Sequence, residues 1–198
     1  MNIGLSAGHG GRNRGTHHGT LYEPDLTLDV ACRASALLSW SSLVEPVLIR
    51  QGDVHLTHEE RAGIAARAGC GAVVEIHFNH NPDPSVGGGE LYTHRGDVAG
   101  FELGREIFNV LPGREWVPKA SDALWEGSVA CPGALAVTKA YYDRGIPCAL
   151  LELCYLSHSG DRYWLTEPGS FDKMAFSIFA GSEAWVKLIE ERAHEQRS

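Results

Sequence analysis

Short apolar runs alternate with helical patterns along this chain. Residues 2–7 (Asn-Ile-Gly-Leu-Ser-Ala) read as a first strand ended by Gly8, and residues 8–22, rich in Gly, Arg, Asn and His, read as a loop. A helix is expected from about Pro24, because proline suits the first helical position. Leu26, Val30, Ala34, Leu37 and Leu38 then fall on one face. Val47-Leu48-Ile49 is a short buried strand. Thr57 to Glu60 has the pattern of a capping box, and Ile64, Ala65 and Ala68 carry a helix to Gly69. Ala72 to Phe78 is a strongly apolar strand in which alternation sets Glu75, His77 and Asn79 on one face and Val74, Ile76 and Phe78 on the other. Gly89 to Thr93 is another strand. Asp97 to about Val110 is an amphipathic helix stopped by Pro112-Gly113. Residues 112–133 lack periodicity and read as a long loop, a kind that is often functional. Pro147 to Cys154 is a near-continuous apolar strand interrupted by Glu152. A last helix runs from near Ser170 to about Arg192, with Ile178, Trp185, Leu188 and Ile189 as its stripe. The alternation predicts an α/β layer fold.

Charge narrows the function classes. Lys and Arg total 17 against 25 Asp and Glu, a net charge of −8. Nonspecific nucleic-acid binding needs a basic footprint, and anionic membranes attract polybasic patches, so neither partner is expected. No run of about 18 apolar residues predicts an integral membrane segment. Five cysteines, an odd number without a Cys-x-x-Cys pair, read as reduced and mostly buried thiols rather than a disulfide framework. The start, Met-Asn-Ile-Gly-Leu-Ser, has neither the basic nor the apolar region of a signal peptide, so synthesis in the cytoplasm is expected. A length of 198 residues fits one domain spanning 1–198.

The candidate chemistry lies at strand ends, where open α/β sheets bind ligands. Gly8-His9-Gly10-Gly11 follows the first strand directly, which exposes an imidazole on a backbone free to turn. Glu23 stands at the mouth of the first helix, where a carboxylate could also serve only to complement the helix dipole. His77 sits on a core strand, as a functional group or as a satisfied buried side chain. Glu152 is the sharpest signal: a carboxylate inside Leu150-Leu151-Glu152-Leu153. Burying an unpaired charge costs several kcal/mol, so such a residue is ion-paired, metal-associated or functional. Taken together the four form a coherent set. Two imidazoles and one carboxylate leave a fourth position on Zn2+ open for water, the pattern of catalytic zinc. A carboxylate that is not a ligand can then carry the proton to the leaving nitrogen. His9, Glu23 and His77 are the expected ligands, and Glu152 the general base and acid.

The ordered set of motifs resembles the zinc-dependent N-acetylmuramoyl-L-alanine amidases of the type-3 amidase group. Gly8 to Gly11, with Gly15, Gly19 and Glu23, is similar to that family's opening segment. Leu48-Ile49-Arg50, with Asp53, Leu56, Arg61 and Ala65, resembles its second strand and following helix. Ile76-His77-Phe78-Asn79, Gly88-Gly89-Glu90-Leu91-Tyr92 and Pro147 to His158 follow in the family's order. The resemblance covers roughly residues 2–165, and the helix over about 170–193 is extra, expected to pack on the core. It implies a three-layer α/β/α sandwich around a mixed, mostly parallel sheet. It also implies one zinc held by His9, Glu23 and His77, with Glu152 catalytic. The implied reaction is hydrolysis of the amide between N-acetylmuramic acid and L-alanine in peptidoglycan.

Two departures accompany the resemblance. Ser6 and Ala7 stand where the family has an Asp, and Glu75 stands where it has Ser. This is expected to mean that the carboxylate has moved between neighbouring strands, with Glu75 orienting a ligand imidazole; the competing reading pairs Glu75 with an Arg in the core. Cys154 is placed on Glu152's face by spacing, as a small buried residue or a further ligand. His80 is within reach of the site, and His17 and His18 lie in the loop between two expected ligands. Trp116, Trp125 and Tyr92 are a sugar or peptide platform, or core. Other functions on the same residues are a zinc peptidase acting on the stem peptide and a non-catalytic wall-binding module. No Gly-x-Gly-x-x-Gly turn is present. A wall hydrolase without an export signal suggests deployment like that of a phage endolysin.

Overall fold

The computed structural model describes residues 1–112, 116–120, 129–130 and 135–197. In chain order the elements are β1 (Asn2–Ala7), β2 (His17–His18), β3 (Leu21–Tyr22), α1 (Glu23–Leu38), β4 (Glu45–Leu48), α2 (His58–Arg67), β5 (Cys70–Asn79) and β6 (Gly89–Thr93). There follow α3 (Val98–Val110), β7 (Trp116–Ala120), β8 (Val129–Ala130), α4 (Ala136–Tyr142), β9 (Cys148–Tyr155), α5 (Ser159–Thr166) and α6 (Ser170–Glu195).

One seven-stranded sheet has the order β4-β1-β5-β9-β6-β7-β8. β4, β1, β5 and β9 run parallel, β6 lies antiparallel to β9, and β7 and β8 continue parallel to β6. The sheet is therefore mixed and mostly parallel. The middle strands β1, β5 and β9 are buried on both faces, which is why their sequences are near-continuous apolar runs rather than alternations of apolar and polar residues.

Helices cover both faces, so the architecture is the three-layer α/β/α sandwich. On one side α1, α3 and α6 bury Val30, Leu103, Ile107, Ile178 and Trp185 against Ile3, Val74, Ile76, Leu151 and Leu153. On the other, α2 and α4 bury Ala62, Ala65, Val137 and Tyr141 against Val73, Cys148 and Leu150. The alternation read from β5 holds: Val74, Ile76 and Phe78 enter the α1/α3/α6 core, which turns Glu75 and His77 to the thinner α2/α4 side. Among the described residues no helix is long and apolar enough to cross a membrane.

Local signals explain most boundaries. Proline occupies the first turn of α1, which begins one residue before it, at Glu23. The capping box of α2 is formed, with the Thr57 hydroxyl accepting from Glu60 N at 3.2 Å and Glu60 Oε2 accepting from Thr57 N at 2.7 Å. The structure departs from expectation in four places. Residues 17–22 form a small hairpin within the loop. Residues 116–120 and 129–130 add strands β7 and β8 where a loop was expected; Trp125 lies outside the described residues. α4 has no side-chain cap and seven residues rich in β-branched and aromatic types, so its local helical signal is weak; tertiary packing of Val137 and Tyr141 forms it. α5 replaces an expected turn and is capped by His158, an unusual cap, which accepts from Asp161 N.

The seam between α3 and α6 is close at Gly181. A Cβ there would stand 2.5 Å from Ile107 N and 2.7 Å from its Cγ1. Gly63 in α2 meets only the flexible end of Arg67, at 3.2 Å. Gly181→Ala should therefore lower stability by about 1–3 kcal/mol through overpacking, whereas Gly63→Ala should raise it by about 0.5–1 kcal/mol through helix propensity. Urea midpoints of the two variants check this pair; a rise for both would show that α6 shifts away from α3 without cost.

Candidate metal centre

β1 delivers its chain to the site through a turn that needs glycine. Gly8 packs directly on the His77 ring, where a Cβ would come within 2.7 Å of Nδ1. His9 then adopts φ 56°, a left-handed conformation uncommon for a side-chain-bearing residue. Two buried guanidinium groups hold this turn by its carbonyls. Arg50 donates to the Ala7 and Gly8 carbonyls, each at 2.9 Å, and to that of Pro24 at 2.7 Å. Arg61 donates to the Ala7 carbonyl at 2.7 Å and to that of His9 at 2.6 Å.

The three expected ligands converge. One donor atom from each of His9, Glu23 and His77 lies within 4.8 Å of the other two. His9 Nε2 is 3.1 Å from Glu23 Oε2, and His77 Nδ1 is 2.9 Å from Glu23 Oε1. Glu23 owes its place to being the first residue of α1, next to the carboxyl ends of β1 and β5. The backbone amides of Thr16 and Phe78 each donate to one of its oxygens, at 2.8 and 3.1 Å.

Each imidazole also has its second nitrogen engaged. His9 Nδ1 meets Asn13 Oδ1 at 2.9 Å, and His77 Nε2 meets Glu75 Oε1 at 3.3 Å. This leaves His9 Nε2 and His77 Nδ1 turned toward Glu23, the arrangement in which outer partners fix a ligand ring's tautomer and orientation. Gly15 closes the cradle from above; at φ 57° it passes so close that a Cβ would meet His9 Cδ2 at 2.7 Å. The donor set, its convergence and this fixing of the rings fit a divalent metal with a preference for nitrogen and oxygen ligands.

Glu75 is held from every side. Ser6 is its register partner on β1. The Arg61 guanidinium reaches Ser6 Oγ at 2.9 Å and Glu75 Oε1 at 3.5 Å. The Tyr141 hydroxyl lies 3.2 Å from both Ser6 Oγ and Glu75 Oε2. Both expected readings of Glu75, the imidazole partner and the core ion pair, are thus present at once.

Glu152 stands on β9 in register with His77. Its Oε2 is buried and has no hydrogen-bond partner among the described residues. A cleft of about 270 Å3 opens over it, lined by His9, His58, His77, Val137, Leu150 and Glu152.

The charges follow from this packing. Burial alone would raise the Glu23 pKa, but hydrogen bonds from His77 and His9 and their charge bring it down to about 2. Burial disfavours the His77 imidazolium, yet hydrogen bonds to Glu23 and Glu75 and the charge of Glu152 raise it to about 10. Glu152 is pushed up to about 8, chiefly by burial, with Glu23 and Glu90 adding to it against the opposing charge of His77.

Other expected participants lie elsewhere. Cys154, expected on Glu152's face, is packed into the α1/α3/α6 core; the pairing between β5 and β9 shifts register beyond His77, which breaks the simple alternation. His80 is exposed and outside the ligand cluster. His17 stacks on Tyr22 with ring centroids 5.5 Å apart. Trp116 stacks on Phe108 at 5.3 Å and packs against the core, while the Tyr92 hydroxyl donates to Glu90 at 2.6 Å. Sequence reasoning missed Asn13, Tyr141 and the clamp made by Arg50 and Arg61. Arg50 and Arg61 left a trace, as members of the segment that resembles the family's second strand and following helix, but without a role.

The N-acetylmuramoyl-L-alanine amidase family model (Amidase_3) matches residues 3–184. The chain is 34% identical over 186 residues to the N-acetylmuramoyl-L-alanine amidase LytC of Bacillus subtilis (strain 168), covering 93% of this chain and 35% of that protein. It is 28% identical over 116 residues to a putative N-acetylmuramoyl-L-alanine amidase of Buchnera aphidicola subsp. Baizongia pistaciae (strain Bp), covering 56% of this chain and 54% of that one. The chain therefore spans between a third and just over half of these relatives. Among solved structures, the catalytic domain of the amidase CwlV from Bacillus (Paenibacillus) polymyxa var. colistinus superposes with a TM-score of 0.80. It shares 21% identity, and the match covers 94% of this chain and 98% of that one. AmiC2 of Nostoc punctiforme gives 0.79 at 24% identity, covering 94% and 97%. With its fold, its ordered motifs and the extent of the family match, this chain belongs to the N-acetylmuramoyl-L-alanine amidase family.

Proposed function

We propose that residues 1–198 act as one catalytic unit that hydrolyses the amide bond between N-acetylmuramic acid and L-alanine in peptidoglycan. The observation that carries this reading is the convergence of His9, Glu23 and His77 beside a buried carboxylate, Glu152, that has an oxygen to spare. Zinc is the metal proposed, since two imidazoles and a carboxylate are a donor set typical of catalytic zinc. When bound, the ion supplies Lewis acidity, polarising the amide carbonyl and activating water near neutral pH.

The side chains divide the remaining work. His9, Glu23 and His77 hold the ion, and Asn13 and Glu75 hold the two imidazoles. Glu152 takes a proton from the attacking water as oxygen bonds to the amide carbon. It delivers that proton to the L-alanine nitrogen as the carbon–nitrogen bond breaks. A pKa raised by burial toward neutrality suits a group that must both accept and donate. The relatives named above are bacterial, which supports a bacterial wall hydrolase over the phage-lysin deployment expected from the sequence.

Three measurements test this. Purified peptidoglycan treated with zinc-loaded protein should release stem peptides with free N-terminal alanine. Chelator and Glu152→Ala should each abolish that product; new termini elsewhere in the stem would instead assign a peptidase. Glu75→Gln should weaken zinc binding by roughly 10–100-fold, and unchanged affinity would reduce Glu75 to a core ion pair. Metal must also displace the His77 proton, which is held up to about pH 10 in the metal-free protein. Zinc affinity should therefore rise by up to about tenfold per pH unit across pH 6 to 8, with proton release visible by calorimetry in buffers of different ionisation enthalpy. A flat pH profile would show that His77 holds no proton over this range in the metal-free protein.

A further inference from the structure

His58 is a third histidine at the cleft and lies outside the ligand cluster. It is the first residue of α2. The end of the helix that it occupies opens toward the carboxyl ends of β1 and β5, where the ligand cluster sits. It is exposed and lines both lobes of the cleft. One lobe is shared with His9, Glu75 and His77, and the other with His77, Leu150 and Glu152.

The hydrogen-bonding capacity around it is already committed. Both nitrogens of His9 and of His77 are engaged. The terminal nitrogens of Arg61 serve the Ala7 and His9 carbonyls, and Glu75 is held by Tyr141 and His77. Among the titratable side chains lining the cleft, two keep capacity for a ligand. One is Glu152, through Oε2. The other is His58, which forms no hydrogen bond or ion pair with any described residue. Glu152 accepts when ionised, whereas an imidazole presents at least one N–H in either tautomer and in its protonated form. The cleft thus offers one acceptor and one donor, with the apolar side chains of Val137 and Leu150 between the helices and the sheet. A peptide backbone needs that complement, because a carbonyl enclosed without a donor forfeits its hydration.

We propose that His58 is a substrate-contacting residue that donates a hydrogen bond to a carbonyl oxygen of the stem peptide lying across the cleft between α2 and α4. This assignment rests on the amidase reading of the same site. It makes His58 a determinant of peptide binding and not a metal ligand.

The test uses N-acetylmuramic acid joined to L-Ala-D-Glu as probe, with His58→Leu and His58→Gln, the second of which keeps a donor. Binding is measured by calorimetry in zinc-loaded Glu152→Gln protein, where turnover is removed. Turnover is measured with Glu152 intact, and zinc content and thermal midpoint are recorded for every variant. The Leu variant should retain full zinc and an unchanged midpoint, while Kd and KM rise about 5–10-fold, the size of one hydrogen bond. The Gln variant should recover most of that loss. Unaltered Kd and KM in the Leu variant, with turnover present, would overturn the His58 contact and leave the amidase reading standing. Loss of zinc in the Leu variant would overturn it also, by assigning His58 to the metal. If the parent protein binds the probe without cleaving it and His58→Leu weakens that binding, the contact stands and the amidase reading falls. If no protein binds or cleaves the probe, both fall.

Discussion

Four charged groups are buried around one turn of chain, and the arrangement of the site depends on how they are compensated. Glu23, Arg50, Arg61 and Glu75 are each no more than 3% exposed. A buried ion costs several kcal/mol unless opposite charge and hydrogen bonds replace its water. Here the arginines take backbone carbonyls as partners, among them those of Ala7, Gly8 and His9. The turn that presents His9 is therefore held by groups that cannot leave it without remaining buried and unpaired. That is a physical reason for His9 to keep a left-handed backbone, a conformation that persists when its surroundings over-determine it.

The two faces of the sheet do different work because their layers differ in composition. The face under α1, α3 and α6 carries most of the apolar core. The face under α2 and α4 is thinner and admits Arg61 and Tyr141, whose polar ends meet Ser6 and Glu75 across the β1–β5 pair. Parallel pairing of β1, β5 and β9 brings their carboxyl ends together, so His9, His77 and Glu152 meet although they are far apart in sequence. Hydrogen bonds and charge from the two imidazoles favour ionised Glu23, and the carboxylates of Glu23 and Glu75 favour the charged form of His77.

Much of this was legible in the chain. The strands β1, β5 and β9 announce themselves as apolar runs, and the capping box of α2 and the proline of α1 mark helix starts. His9, Glu23, His77 and Glu152 stood out because each is a polar group where an apolar strand or a glycine turn makes it costly or exposed. α4 and α5 were not legible. One is too short and too poor in helix formers to be stable alone, and the other relies on a histidine cap, so packing decides both. Cys154 was misplaced because strict alternation was carried through a register shift that only pairing with β5 creates.

The sequence by itself determined the α/β class and the apolar strands of the sheet centre, and it singled out four polar groups at strand ends and turns. These depend on periodicity and on the cost of a lone charge, both properties of local sequence. Only the tertiary structure decided that Glu75 serves His77 and Arg61 together, that Asn13 holds His9, and that two arginines clamp the turn. It also decided that His58 and Glu152 face the same cleft. These placements are set by strand register, loop path and helix packing, which no stretch of sequence encodes alone.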